Sequence, residues 1–294
     1  MQFQLLMQTL ITGLAVGGIY ALMAVGYSLI FSILNFSNFA YGGIIMLGSY
    51  MGYYVLTGLK VPFAIALIVS MLGAGLLSFF NERIAYSSLR KRHAPSLYFM
   101  ISAMGTSIFL ENMVYATIGS SFKAYPEIFG ISSISIFGST IGKLDLFAII
   151  FSFIAIYFMN YFIQHTRTGI AIRAASYDST VAQINGVNLS AVIGLVFLLA
   201  GLLAGLSGVF LGLKYMAYPT MGWITNKAYI AAVIGGLGSL PGAVVGGILL
   251  GVLESLISVY VSSLIRDVFS FSFLIILLLV MPSGLFGKYL EEKV

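Results

Sequence analysis

Long apolar stretches alternate with short polar breaks along almost the whole chain. A helix needs about 20 apolar residues to span a bilayer, and seven stretches of that order are plain in the sequence. They lie at 6–31, 39–57, 62–81, 97–118, 145–163, 191–212 and 269–286. The pattern predicts an all-α fold, a polytopic helical membrane protein.

The interval 227–262 is less regular, because Gly, Ser and Pro residues interrupt it at 235–242. We expect a short, re-entrant or broken helix near 227–242, then a full span at 243–262. The total is eight or nine membrane segments, depending on whether 227–242 crosses. Nothing between the spans is long enough for a second domain, so residues 1–294 are expected to form one transmembrane domain.

Small residues recur at intervals of four within these stretches. Such positions allow helix backbones to approach closely in lipid, where packing replaces the hydrophobic effect. The glycine pairs are Gly13 and Gly17, Gly48 and Gly52, Gly201 and Gly205, Gly208 and Gly212, Gly242 and Gly246, and Gly247 and Gly251. We interpret them as helix-packing positions in a tightly packed bundle.

Composition supports a membrane protein, and the positions of the basic residues predict its orientation in the membrane. Of the 294 residues, 60% are hydrophobic and 8% are charged, against about a quarter charged in soluble domains. The net charge of +5 does not indicate nucleic acid, because four basic residues share the loop 82–96, which is typical of a cytoplasmic loop. With that loop in the cytoplasm, the N-terminus and the loop 119–144 are external and the segment 164–190 is cytoplasmic.

Motifs for catalysis or nucleotide binding are missing. The Gly-Lys pairs at 142–143 and 287–288 are followed by Leu144 and Tyr289, so no Walker A sequence is present. There is no G-x-S-x-G motif, no cysteine, and no carboxylate at metal-ligand spacing from His93 or His165. The chain is expected to be no enzyme, with no catalytic residue, no metal and no bound cofactor.

Polar residues within the apolar stretches are candidates for a translocation path. A charge at the bilayer centre costs roughly 2.5 to 3.5 kcal/mol on insertion scales, so it usually faces the bundle interior or a watery cavity. Each residue is either part of a path or a structural hydrogen-bonding group, and the break at 35–38 is either a simple turn or part of a path. The candidates are Asn35, Asn38, Glu111, Asn112 and Glu254.

The segment Gln164–Ser190 is a polar island in this apolar chain. Asp178, Ala182 and Gly186 follow one another at intervals of four, a spacing that places residues on one helix face. Two interpretations stand. An interfacial amphipathic helix would turn its isoleucines and valines to the membrane, whereas a docking helix would use the small residues to admit a partner and the acid as a charged anchor.

Several stretches resemble a known family. The row Asp178-x-x-x-Ala182-x-x-x-Gly186-Val187-Asn188, preceded by Arg167-Thr168-Gly169 and Arg173-Ala174, is similar to the cytoplasmic loop of permease subunits of branched-chain amino acid ABC transporters. The segments 35–42, 46–50, 231–242 and 282–287 are similar to other parts of that family, and the short N-terminus to its H-type subunit. Tyr41 departs from it, because the family often has histidine there.

The resemblance implies a permease that translocates branched-chain or related amino acids. It implies two separate ATPase subunits that use ATP and Mg²⁺, a second permease subunit in a hetero- or homodimer, and an extracytoplasmic solute-binding protein. The location implied is the plasma membrane, the inner membrane of a bacterial cell. The residues carried over to the ATPase-coupling loop are Arg167, Gly169, Arg173, Ala174, Asp178, Ala182, Gly186 and Asn188.

Two alternatives remain open from the sequence. A stand-alone channel or ion-coupled secondary carrier would use Glu111 and Glu254 to bind a proton or ion. The same ABC architecture could also import urea, short amides or another solute.

Overall fold

A computed structural model describes residues 2–128, 133–136 and 139–287. Its α-helices, in chain order, are α1 (Gln2–Leu34), α2 (Ala40–Gly58), α3 (Phe63–Asn81), α4 (Ser87–Lys91), α5 (Ser96–Thr117), α6 (Lys143–His165), α7 (Arg167–Tyr177), α8 (Ser179–Ile184), α9 (Leu189–Tyr215), α10 (Thr225–Gly235), α11 (Leu240–Tyr260) and α12 (Arg266–Val280). A π-helical turn, Glu82–Tyr86, joins α3 to α4, and a 3₁₀ helix, Pro219–Ile224, precedes α10. Two antiparallel strands, β1 (Ser133–Ile136) and β2 (Ser139–Gly142), precede α6.

The all-α prediction is confirmed, and a helix lies at every predicted span. Six helices among the described residues have the length and apolarity to cross a membrane, namely α1, α3 with its continuation to Lys91, α5, α6, α9 and α11. Helix α2, with 19 residues, is long enough but less apolar than these six, and α12, with 15 residues, is shorter. The count of eight or nine crossings therefore stays a prediction. Within the loop 119–144, residues 129–132 and 137–138 lie outside the described residues.

The predicted interruption near 227–242 is a helical hairpin. The first helix, α10, ends at Gly235, and Gly236 has a φ of +101°, a conformation that favours glycine. Ser239 then caps α11 by accepting a hydrogen bond from the N–H of Gly242 at 3.2 Å. A Cβ on Gly242 would collide with the carbonyl of Gly235, so these glycines allow the two helices to meet at the turn.

The predicted span 269–286 is too long at its C-terminal end. Helix α12 stops at Val280, because Pro282 disfavours helical geometry in the residue before it. The chain then returns to α10, where the N–H groups of Leu285 and Phe286 donate to the carbonyls of Ile234 and Gly235, each at 2.9 Å. The two glycine-rich segments, 231–242 and 282–287, therefore pack together and satisfy carbonyls at the end of α10.

The chain divides into two compact units. The first comprises Met1–Ser28, Phe129–Ile156 and Lys227–Val294. In it α1 packs on α11 through glycine, since a Cβ on Gly13 would lie 3.0 Å from the Cα of Val252, and a Cβ on Gly17 would lie 2.9 Å from the Cα of Ile248. These glycines have the packing role that their spacing predicts.

The second unit comprises Leu29–Ile128 and Tyr157–Asn226. Its core is the packing of α2, α3 and α9 on one another. A Cβ on Gly205 of α9 would lie 2.5 Å from the carbonyl oxygen of Ser70 in α3, and a Cβ on Gly208 would collide with the carbonyl of Ile45 in α2. The small residues of α9 thus contact two helices. Gly205 packs on α3 and Gly208 packs on α2.

Tyr125 closes one end of this three-helix core. Its hydroxyl donates to the carbonyl of Ser49 at 2.5 Å, and its ring lies where a Cβ on Gly212 would stand. Burial raises the pKa of the Tyr125 phenol, so the hydroxyl remains a donor. Tyr125 therefore attaches the first part of the loop 119–144, which is predicted to be external, to α2 and α9.

Candidate coupling surface and candidate solute cavity

The polar segment Gln164–Ser190 folds into the short helices α7 and α8. Thr166 caps α7 by accepting from the N–H of Gly169 at 3.0 Å, and Asn188 caps α9 by accepting from the N–H of Ala191 at 3.1 Å. Both side chains supply the acceptor that the first turn of a helix lacks. The segment is thus two ordered helices between two long ones, and Asn188, predicted as a coupling residue, starts α9.

Asp178, Ala182 and Gly186 do not form a row on one continuous helix, as their spacing suggested. The Asp178 carboxylate accepts from the N–H groups of Thr180 at 2.8 Å and Val181 at 2.9 Å, so it caps α8. Ala182 is only 3% exposed. Gly186, with a φ of +84°, ends the helix, and the N–H of Val187 donates to the carbonyl of Ala182 at 3.0 Å. The three residues start, pack and end α8, and of them Asp178 and Ala182 also line the groove described next.

Exposed apolar side chains beside these residues form the surface. Tyr177 is 95% exposed and Ile184 is 81% exposed. A groove of about 470 Å³ runs between α7 and α8. It is lined by Ile170, Arg173, Ala174, Tyr177, Asp178, Val181, Ala182, Asn185 and Val187. We call these residues with Ile184 the α7–α8 surface.

The other predicted coupling residues hold the segment in place or border the groove. A Cβ on Gly169 would lie 2.5 Å from the carbonyl oxygen of Phe162, so α7 packs closely on the end of α6. Arg173 donates to the side chain of Gln164 at 3.1 Å and to its carbonyl at 3.3 Å. Ala174 lines the groove, whereas Arg167 is exposed and outside it.

The basic loop predicted to be cytoplasmic is bonded to this segment. Ser190 accepts from the guanidinium of Arg83 at 2.8 Å and from that of Arg90 at 3.3 Å. Both arginines also pair with Glu82, whose side chain is fully buried. The two loops placed on one side of the membrane by charge therefore meet in the structure.

Two polar residues of the predicted path have structural roles. Asn35 has a φ of +49° and donates its N–H to the carbonyl of Phe31 at 2.9 Å, which ends α1. Asn38 is buried and accepts from the hydroxyl of Tyr86 at 2.8 Å. Tyr41, the departure from the family pattern, donates to the carbonyl of Ala200 at 3.1 Å and so joins α2 to α9.

Glu111 lines a cavity of about 330 Å³, whereas its neighbour Asn112 does not. Asn112 is exposed and donates to the carbonyl of Ile108 in its own helix at 2.8 Å. The cavity is lined by Phe39, Met104, Ser107, Ile108, Glu111, Gly222, Trp223, Thr225 and Asn226. Of the five candidate path residues, only Glu111 lines it. Sequence reasoning missed Trp223, although it is the single tryptophan of the chain.

Glu254, the remaining candidate, lies in the first unit within a charge network. Its carboxylate is 2% exposed and pairs with Lys227 and, at 3.7 Å, with Arg266. Tyr20 and Ser270 donate to it at 3.0 and 2.7 Å. Lys227 also pairs with Asp267 at 2.8 Å. The two negative charges of Glu254 and Asp267 are balanced by the positive charges of Lys227 and Arg266. This geometry therefore fits a structural role for Glu254 better than a role in binding a free ion.

Among the residues that the structure describes, no group of three or more His, Asp or Glu side chains could hold a metal ion.

The chain matches the model of the family described as branched-chain amino acid transport system, permease component, over residues 9–281. The chain belongs to this family. It is 37% identical to the high-affinity branched-chain amino acid transport system permease protein LivH of Salmonella typhimurium, over 100% of this chain and 99% of that protein. It is 36% identical to the corresponding permease protein BraD of Pseudomonas aeruginosa, over 98% of each.

A solved structure supports the fold. The chain superposes on PsaBC from Streptococcus pneumoniae in complex with Fab with a TM-score of 0.50 and 15% identity, covering 92% of this chain and 89% of that one. At that identity the likeness concerns the fold alone. The permease family and the six apolar helices of the described residues make the chain a multi-pass membrane protein. The names of LivH and BraD agree with the expectation that it is not an enzyme.

Proposed function

We propose that this chain is the permease subunit of an ATP-binding cassette importer for branched-chain or related amino acids. The observation that carries the proposal is membership in the permease family along nearly the whole chain. Relatives that it covers end to end are named for high-affinity branched-chain amino acid transport. The chain sits in the plasma membrane, the cytoplasmic membrane of a bacterial cell.

The proposed complex contains a second permease subunit, two ATPase subunits and an extracytoplasmic binding protein that delivers the solute. ATP and Mg²⁺ are bound by the ATPase subunits. This division of labour is supported by the sequence, which has no Walker A motif. The permease itself needs no cofactor in this scheme.

The α7–α8 surface is the proposed docking site for one ATPase subunit. Tyr177, Val181 and Ile184 expose apolar area around a groove, and exposed apolar area beside a groove is typical of helix-in-groove recognition. Contacts to Ser190, at the start of α9, join the end of the segment 164–190 to the loop at 82–92. When ATP closes the ATPase dimer, the docked segment moves and shifts the permease between outward and inward access.

Reconstitution in liposomes tests this function. The chain, its partner permease, two ATPase subunits and the binding protein should together take up radiolabelled leucine, and uptake should stop when the Walker A lysine of the ATPase is replaced by alanine. That variant ATPase is the matched control, because the complex still assembles. Leucine uptake by the permease alone would establish a carrier instead, and uptake of urea or acetamide in place of leucine would keep the architecture but change the solute.

A further inference from the structure

Glu111 is a carboxylate without a partner in an apolar helix. In the described part of the chain, neither an ion pair nor a hydrogen bond to its side chain is found. Glu82 and Glu254, by contrast, are each held by two basic side chains. Because an unpaired acid within a membrane is costly and usually serves a function, the carboxylate of Glu111 needs an explanation from outside the chain.

The cavity around Glu111 has one wall from a single face of α5. Met104, Ser107, Ile108 and Glu111 are separated by three or four residues and so share that face. The wall presents an acid and a hydroxyl beside two apolar side chains. The volume of the cavity, about 330 Å³, falls within the range of small-molecule pockets, roughly 300 to 1,000 Å³.

The opposite wall comes from the 3₁₀ helix and the start of α10. Trp223 supplies a large ring with an N–H donor, and Asn226 supplies an amide. This wall is fixed against α2, because a Cβ on Gly42 would collide with the hydroxyl of Thr225 and the carbonyl of Gly222. The cavity is therefore built by packed elements of one unit.

We propose that this cavity is the place where the transported amino acid binds to this chain, held as a zwitterion. The α-ammonium group pairs with the Glu111 carboxylate, a charge-assisted hydrogen bond. Ser107, Trp223 and Asn226 supply donors for the α-carboxylate, and Met104, Ile108 and Phe39 face the aliphatic side chain. This inference rests on the proposed function.

The position of Glu111 along α5 suits a first contact. Glu111 lies six residues before the last residue of the helix, Thr117, which is about 9 Å at 1.5 Å per residue. The loop that follows α5 is external in the predicted topology, so the cavity lies in the outer part of the membrane. A solute released by an extracytoplasmic binding protein reaches this depth before any deeper part of the path.

Replacement of Glu111 by Gln in the complete, reconstituted transporter tests the proposal. Loss of a charge-assisted hydrogen bond should reduce leucine uptake about tenfold or more, while ATP hydrolysis stimulated by loaded binding protein stays within about twofold. Glu111→Asp, which keeps the charge, should recover part of the uptake. Glu127→Gln is the matched control, because it removes the same charge from an exposed residue of the external loop, and it should transport like the wild type.

Each other outcome would overturn the proposal. Wild-type uptake by Glu111→Gln would mean that the carboxylate does not touch the solute, while the importer function would stand. Failure of that variant to co-purify with its partner subunits would make Glu111 a structural group. If the wild-type complex takes up no leucine, the proposed function itself fails, so the two failures are distinguishable.

Discussion

The Asp178 carboxylate accepts hydrogen bonds from two backbone N–H groups at the start of α8. A side chain in that position satisfies donors that the helix itself leaves open. A capping acid and a charged docking anchor would both explain an aspartate here, but they differ in what they require. The cap needs an oxygen acceptor, whereas the anchor needs a negative charge.

Substitution of Asp178 separates the two roles. Asp178→Ala should weaken α8 by about 0.5 to 2 kcal/mol, and Asp178→Asn should restore most of that loss, because asparagine is an equally good cap. Limited proteolysis of the purified complex at residues 178–186, with coupled ATP hydrolysis measured in parallel, checks this. If asparagine uncouples ATP hydrolysis as severely as alanine does, the charge is a docking anchor and the cap is secondary.

At the scale of helices, close packing depends on glycines of α9. A Cβ on Gly205 would lie 2.5 Å from the carbonyl oxygen of Ser70 and 2.7 Å from the Cα of Met71. Backbone atoms cannot move aside as the end of a flexible side chain can, so even one methyl group would separate α9 from α3. In lipid, no hydrophobic effect between helices compensates for that separation.

Gly205→Ala should therefore destabilise the protein by about 1 to 3 kcal/mol, the usual cost of overpacking. The matched control is Gly105→Ala in α5, where nothing lies within 4 Å of the added Cβ and alanine favours the helix. The apparent unfolding temperature in detergent should fall for the first variant and stay level or rise for the second. Equal temperatures for both would show that the α3–α9 contact tolerates a methyl group.

The length of the apolar stretches was enough to predict the long helices, because a membrane span is a local property of about 20 residues. The stop of α12 at Val280 could also be inferred from Pro282. The partners of buried acidic side chains could not be inferred from the sequence. Glu254 meets Lys227 and Arg266, and a single sequence without observed covariation carries no sign of that meeting. Glu111 looked equivalent to Glu254 in sequence, yet only one of them has charged partners.

The proposed docking surface shows the same limit. The four-residue spacing drew attention to the segment 164–190, but the residues so spaced form the cap, a buried contact and the end of α8. Tyr177 at the end of α7 and Ile184 at the end of α8 carry the exposed apolar area, and α8, with six residues, is too short to give Ile184 a periodic signal. A sequence motif can thus identify the residues that form the ends of a short helix without identifying the exposed residues beside them.

For the whole transporter, the proposed mechanism requires that closure of the ATPase dimer on ATP act on the permease through the α7–α8 surface. Ile184→Arg places a charge on that surface without removing a buried contact, because Ile184 is 81% exposed. Loss of a hot-spot residue at a protein interface costs more than about 1 kcal/mol, and Ile184 is proposed as such a residue. Association with the ATPase subunits should weaken about fivefold or more, with leucine uptake falling in proportion.

Ile84→Arg is the matched control. It makes the same change at an isoleucine that is 78% exposed in the π-helical turn, on the same predicted side of the membrane but outside the α7–α8 surface. Co-purification of the ATPase with each variant, together with uptake in liposomes, separates the two sites. Uncoupling by Ile84→Arg but not by Ile184→Arg would move the docking site to the basic loop, and the contacts from Arg83 and Arg90 to Ser190 would then be the route by which motion reaches α9.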